Sequence, residues 1–332
     1  MSLLDTARAP VTRTAALLIV GVLALQVAFV ASYVGAFHDP EPRLIPVAVV
    51  GDRDAALQVR DALNALEGRP LDARFSADRG AAIDLLEDRD TAAAIVLGDE
   101  REHELLVAGA EGQSETEAVI DVVRDSLAVT NQTITVTDQI PSSRNDARGL
   151  TSFYLTMGWV IGGFLAAAVI GIVAGSRGAG GAAVSVRLLG MAIYSALSAV
   201  LTVWVTLGWF DALPRDGALL QVLVGTLVVF AVGSATLALE AWFGVLGIAA
   251  GALVFVVLGN PSSGGAFPPR LLPHFWATIG EILPPGASTS AVRGIAYFGG
   301  VGLGAALTTL AAWIMVSHVA AYAASHLGRD ES

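Results

Sequence analysis

Apolar residues in this chain gather into six long stretches separated by polar segments. The first runs over residues 14–37 and is interrupted only by Gln26. The others cover residues 152–175, 187–209, 218–240, 242–259 and 299–321, the fifth being the shortest. A bilayer core about 30 Å thick needs roughly 20 helical residues, so each stretch predicts a membrane-spanning helix. The first stretch exceeds the apolar region of a signal peptide, which is about 7–15 residues. It therefore predicts an uncleaved anchor preceded by Arg8 and Arg13, with a cleaved signal as the alternative.

Between the first two stretches the pattern changes. Residues 44–50 form a β-rich run ending in Gly51-Asp52. Asp54 is a candidate cap for a helix with Ala56, Val59, Leu63 and Leu66 on one face. Residues 70–75 read as a weak strand, and Asp78 caps a second helix carrying Ile83 and Leu86. Residues 92–97 form a strong strand and 104–108 a further one. A helix starting at Ser114 turns Ile120, Val123 and Leu127 inward. Residues 133–137 alternate like an edge strand. About 100 residues suffice for one α/β domain. The expected fold is thus a polytopic α-helical membrane protein with six transmembrane helices and an inserted α/β extracytoplasmic domain. Its divisions are residues 1–37 (tail and first helix), 38–150 (the domain), 151–323 (five helices) and 324–332 (a cytoplasmic tail).

Charge sharpens this division. Only 15% of the 332 residues are charged, against about a quarter in soluble domains. Residues 38–150 hold 11 Arg against 23 Asp plus Glu, whereas the rest of the chain is nearly neutral. An acidic domain is a poor match for nucleic acid, which requires a basic face. There is no Cys, hence no disulfide or zinc-thiolate site. All nineteen basic residues are Arg. The absence of Lys excludes a Walker A loop and a Schiff-base lysine, so any ATP would be bound by another chain. No cofactor is expected.

With the N-terminus inside, inner segments carry Arg8, Arg13, Arg177, Arg187 and Arg329, and outer loops carry Arg215, Arg270 and Arg293. This mild bias puts both termini in the cytoplasm and residues 38–150 outside a plasma membrane. The opposite orientation would make the domain cytoplasmic. Trp159, Trp204, Trp209, Trp242 and Tyr297 lie near run ends, where aromatic rings favour headgroups.

The stretch from 259 to 293 contains Pro261, Pro268, Pro269, Pro273, Pro284 and Pro285, and proline breaks helices. Phe275, Trp276, Ile279, Ile282 and Leu283 make a short amphipathic piece, too short to span and suited to a re-entrant or interfacial helix. This loop region, 259–298, reads either as an outer loop resting on headgroups or as the lining of an outer gate comprising Gly264, Pro268, Pro273, Pro284 and Arg293.

The run Pro261-Ser262-Ser263-Gly264-Gly265, then Pro268, Leu272-Pro273-His274-Phe275, Leu283-Pro284-Pro285-Gly286 and Arg293 before a last apolar stretch resembles the type-2 ABC exporter permease superfamily. One span, an outside domain and five further spans resemble its YhgE/Pip (phage infection protein) branch. The resemblance implies a permease-like membrane domain, allows a homodimer, and points to export of an amphiphile or cell-envelope component. In such permeases the loop between spans two and three docks a separate ATPase. Residues 176–186 are short and Gly-rich here and lack an amphipathic docking face, so a simple turn is the competing reading.

Glu240 ends an apolar run, where it can reach water or serve as a proton-accepting or gating group near the inner face. His318 reads as a packing residue. Gln26 and Gln221 are expected to bond across helices, and Gly158, Gly162 and Gly163 to permit close helix approach. Asp99, Glu100, Glu102, His103 and Glu104 could offer cation ligands but read better as a solvated turn. Asn131-Gln132-Thr133 fits a glycosylation sequon. No catalytic pair is evident, so a non-enzymatic role is expected. A multi-span cell-surface receptor or assembly scaffold is the alternative to transport.

Overall fold

The computed structural model describes residues 10–98, 101–174 and 180–327. The first helix, α1 (Pro10–Phe37), stands largely apart, its apolar side chains exposed. It touches the rest of the chain through residues 252–263 and, near its end, through Phe267, Leu272 and Trp276. The Ser32 hydroxyl there donates to the Val257 carbonyl.

The following polar segment folds as a five-stranded sheet with helices on both faces. Its elements are β1 (Ile45–Val50), α2 (Arg53–Asn64), β2 (Leu71–Phe75), α3 (Arg79–Glu87), β3 (Ala93–Val96), β4 (Glu102–Val107), α4 (Gln113–Ala128) and β5 (Thr133–Asp138). The spatial order is β2-β1-β3-β4-β5. β1 runs parallel to β2 and β3, β4 runs antiparallel to β3, and β5 lies parallel to β4 at the edge. β1 is buried along its whole length, as expected of a strand covered on both faces. α2 and α4 cover one face through Ala56, Leu63, Val119, Val123 and Leu127. Ala82 and Leu86 of α3 pack on the other, which also receives Phe298 from the membrane-side chain.

Two local expectations change. The cap of α2 is Asp52, not Asp54: its Oδ1 accepts from the Asp54 amide at 3.1 Å, so Asp54 already lies in the first turn. Asp78 does cap α3, accepting from the Ala81 amide at 2.9 Å.

Among the described residues, five helices are long and apolar enough to cross a membrane: Ala15–Phe37, Thr151–Ala174, Gly181–Trp209, Ala218–Phe243 and Leu303–His326. We label the last four as α5 (Thr151–Ala174), α6 (Gly181–Val203, extended by π-helical turns over Trp204–Trp209), α7 (Ala218–Phe243) and α11 (Leu303–Leu327). α7 is central and packs against α5, α6 and α11. Gly163 lets α5 approach it, since a Cβ there would lie 2.6 Å from the Val229 carbonyl oxygen. A Cβ at Gly158 would meet open space.

The fifth apolar run differs from a full-length span. α7 absorbs its first residues and ends at Gly244, whose φ of 62° turns the chain. What remains is α8 (Val245–Gly251) and π-helical turns over Ala252–Leu258, a shorter apolar helix. Beyond two 3-10 turns come α9 (His274–Ile282) and α10 (Pro284–Tyr297).

The end of α1, the π-helical end of α6 and the starts of α5, α7 and α11 meet the sheet unit's end of the bundle. Asn145 Nδ2 donates to the Phe210 carbonyl, Tyr297 Oη to Asp146, and the Arg43 amide to the Arg270 carbonyl. The described start of α1 and the described end of α11 therefore share the opposite end of the bundle.

Candidate functional site

The site begins with a hairpin of two short helices. Pro284 and Pro285 open α10, where a missing N–H costs nothing and the fixed φ suits the first turn. The extended Leu283 (φ −90°, ψ 143°) separates α9 from α10. Small residues Ala287, Ser288 and Ala291 let α10 sink between α5, α7 and α11. The Ser288 and Thr289 hydroxyls return to the Pro285 carbonyl at 3.2 and 2.9 Å, so this polar surface is satisfied within the helix. Burial of α10 carries Arg293 inward to 3% exposure.

The sheet unit supplies the opposing charges. Glu111 closes a 3-10 turn after β4, just before Gly112, whose φ of 130° favours glycine. Both Glu111 oxygens accept from Arg89, one of them at 3.2 Å from Nη2. The same guanidinium donates to the Ser290 hydroxyl at 3.2 Å and the Val301 carbonyl at 3.3 Å, and lies 5.2 Å from the Phe298 ring centre. Arg89 itself has φ 62°, a left-handed conformation that costs about 1 kcal/mol for a non-glycine residue and directs it toward the hairpin. Glu111 Oε2 is also 3.7 Å from Arg293 Nη1. A second pair lies alongside, with Arg270 Nη1 3.3 Å from Oε1 of Glu115, itself only 3% exposed.

These pairs are unequal. Burial alone would raise the Glu111 carboxyl, but Arg89 and Arg293 outweigh it and hold the group below the ordinary range. Burial pushes the Glu115 carboxyl up, and Arg270 only partly offsets it. Arg293 is the least satisfied member: neither Nε nor Nη2 reaches a hydrogen-bond acceptor among the described residues. Buried polar groups normally find partners, and these two donors have none among the described residues. Arg293 is one of the residues lining a cavity of about 660 Å³ between the sheet unit, the hairpin and the start of α11.

Three of the five expected gate residues, Gly264, Pro268 and Arg293, line this cavity. Gly264 takes φ 71° and sits against Pro269. Pro273 and Pro284 do not line it; they start α9 and α10 and so shape the hairpin. Compared with known proteins, the chain matches no family model, no curated protein and no solved structure. The site must therefore be interpreted from its own chemistry.

Arg89, Glu111, Glu115 and Arg270 were not singled out from sequence. One was legible: Glu115 shares the inward stripe of α4 with Val119 and Val123, and a carboxylate on an apolar face requires a partner. Arg89 and Glu111 sit in turns, where no periodicity marks them.

Glu240 lies elsewhere, near the opposite end of α7. It does not reach water, being 2% exposed with both oxygens unpaired among the described residues. Its carboxylate occupies the space left by Gly171 on α5, where any Cβ would collide with it. The water-reaching interpretation is overturned because α7 is covered on this side.

Other expectations also shift. Gln26 is exposed, and neither amide atom of the buried Gln221 is paired, so the expected cross-helix bonds are not seen among the described residues. Trp159 is fully buried and donates to Thr202 Oγ1 at 2.7 Å, away from any headgroup position. His318 packs, with Nδ1 2.8 Å from the Ile314 carbonyl and its ring 5.5 Å from that of Phe230. His103 turns inward and accepts from the Gly98 amide at 3.2 Å. Asp99 and Glu100 lie outside the described residues, among which no cluster suited to a metal ion occurs. Residues 175–179 of the loop after α5 are likewise outside them. From Gly181 onward that loop is the first turn of α6 rather than a turn throughout.

Proposed function

We propose that this chain is a permease-like membrane protein of the YhgE/Pip kind, moving an amphiphile or envelope component without an ATPase of its own. The supporting observation is the α9–α10 hairpin. It is too short to cross the bilayer, it is inserted among complete helices, and it presents a buried arginine to a cavity shared with the sheet unit. Non-spanning backbone at membrane depth is tolerated where it is buried in protein or lines a cavity, and such segments suit a pathway. In this reading the shorter helix 245–258, continued by the 3-10 turn Pro261–Ser263, acts as the sixth span. The sheet unit lies outside the plasma membrane, both termini are cytoplasmic, and the hairpin gates the outer mouth. Glu240 is the polar group near the inner face.

Cells lacking the protein, complemented with wild type, Pro273→Ala or Arg293→Gln at equal protein levels, test this by comparing the amphiphiles reaching the cell surface. Both variants should export less than wild type. Unchanged export from both would overturn the gate. A tag inserted in the exposed turn at Val129 should be reachable from outside intact cells; protection there would reverse the orientation.

A further inference from the structure

The cavity beside Arg293 has chemically distinct walls. Arg293 is among its lining residues, is 3% exposed, and keeps two guanidinium donors with no acceptor among the described residues. Arg89 cannot serve the same role, because Glu111, Ser290 and Val301 already occupy its donors. Toward the membrane helices the walls become small and apolar, through Ala287, Ala305 and Ala306. Ala305 lies on the exposed start of α11, one of the apolar helices. The cavity thus grades from a buried cation to methyl groups at the lipid-facing side.

We propose that this cavity binds the anionic oxygen group, phosphate or carboxylate, of an amphiphile, with the guanidinium of Arg293 as the recognition element and the α11 side admitting the apolar tail. This rests on the permease reading and names the substrate class for its gate. Guanidinium forks match phosphate and carboxylate oxygens through paired N–H donors, and Nε with one Nη forms such a fork. The acids lining the cavity do not close it to an anion. Glu111 is committed to Arg89 and Arg293, and Glu115 to Arg270. Asp88 and Glu281 are exposed at the rim, where solvent and salt screen them. Burial also favours the neutral form of Glu115, which lowers the negative charge facing a ligand.

Full-length protein in phosphatidylcholine nanodiscs is titrated calorimetrically with dioctanoyl phosphatidic acid, dioctanoyl glycerol and inorganic phosphate. Saturable binding of the phosphatidic acid but not the glycerol is expected. Arg293→Gln should weaken it at least about tenfold, since hydrogen bonds to charged groups are the stronger class. Ala305→Phe, which leaves the ion cluster intact, should block the lipid by narrowing the apolar side. It also keeps the test decisive if Arg293→Gln does not fold. Phosphate binding that is lost in Arg293→Gln and retained in Ala305→Phe would support the anion site with a soluble source. Phosphatidic acid binding alone would assign it to a lipid headgroup. Absence of saturable binding, or binding unchanged in both variants, would overturn the site. Failed binding with intact export overturns this inference alone; binding with no export overturns the permease reading.

Discussion

Two buried charges lie toward opposite ends of the bundle, and their surroundings differ. Arg293, near the sheet unit, meets Glu111 from a separately folded region, with Arg89 bound to the same carboxylate. Glu240, near the far end, meets a helix backbone at Gly171, and its oxygens bond to nothing among the described residues. The first charge joins two parts of the molecule and keeps two donors without an acceptor among the described residues. The second feels the charge of Arg187 without a direct ion pair among the described residues and sits where a missing side chain on the neighbouring helix makes room. A buried charge can thus be accommodated by ion pairing in contact or by space beside it, and the two respond differently to substitution.

The largest effect is expected at the charged joint. Glu111→Ala leaves Arg89 and Arg293 buried without their carboxylate, and breaking a buried pair in this way costs about 3–5 kcal/mol. Thermal unfolding in detergent should show a large drop in Tm. A loss no greater than that of a surface substitution would mean that water replaces the carboxylate.

A smaller effect is expected at the space-filled end. Gly171→Ala places a methyl where the Glu240 carboxylate sits, and overpacking costs about 1–3 kcal/mol. The diagnostic is rescue: Glu240→Ala in the same chain should restore most of the lost stability. Additive losses would place the carboxylate elsewhere.

The pH response separates the two glutamates within the joint. Glu111 faces Arg89, Arg293, Arg270 and Glu115, and its carboxyl is held below the ordinary range. Its contribution is fully present above the unfolded value, about 4.3, and is lost as pH falls through the lower folded value. Glu115, faced by Arg270, Glu111 and Arg293, is raised by burial. Its ionisation therefore opposes folding as pH rises above that unfolded value. Melting curves between neutral pH and pH 3 should show Glu111→Gln flattening the acid loss. Glu115→Gln should steepen it, by removing a group that gains stability on protonation. Identical profiles for the two variants would contradict the opposite shifts.

The smallest effect belongs to the exposed Arg79–Glu104 pair, 3.1 Å apart on the sheet unit. Surface pairs contribute little, so Arg79→Ala should leave Tm nearly unchanged and alter neither export nor ligand binding. A large drop would show that this surface is covered in the native assembly.

Much of the architecture was legible without tertiary information. Apolar length alone marks four long helices and the anchor, because bilayer thickness sets a length. Alternation and caps mark the strands and helices of the sheet unit, because those signals are local: Asp78 caps α3 whatever surrounds it. Proline spacing locates the hairpin and, with it, Gly264, Pro268 and Arg293. Other features depended on packing between distant segments. The burial of α10 depends on small residues meeting α5, α7 and α11, and the truncation of the fifth apolar run depends on one positive φ at Gly244. The pairing of Glu111 with Arg89 and Arg293 joins positions 22 and 182 residues apart in the chain. Patterns along a sequence report which face of an element is apolar. They carry no information about which distant charge will arrive opposite a buried one, because that is decided only when the elements pack.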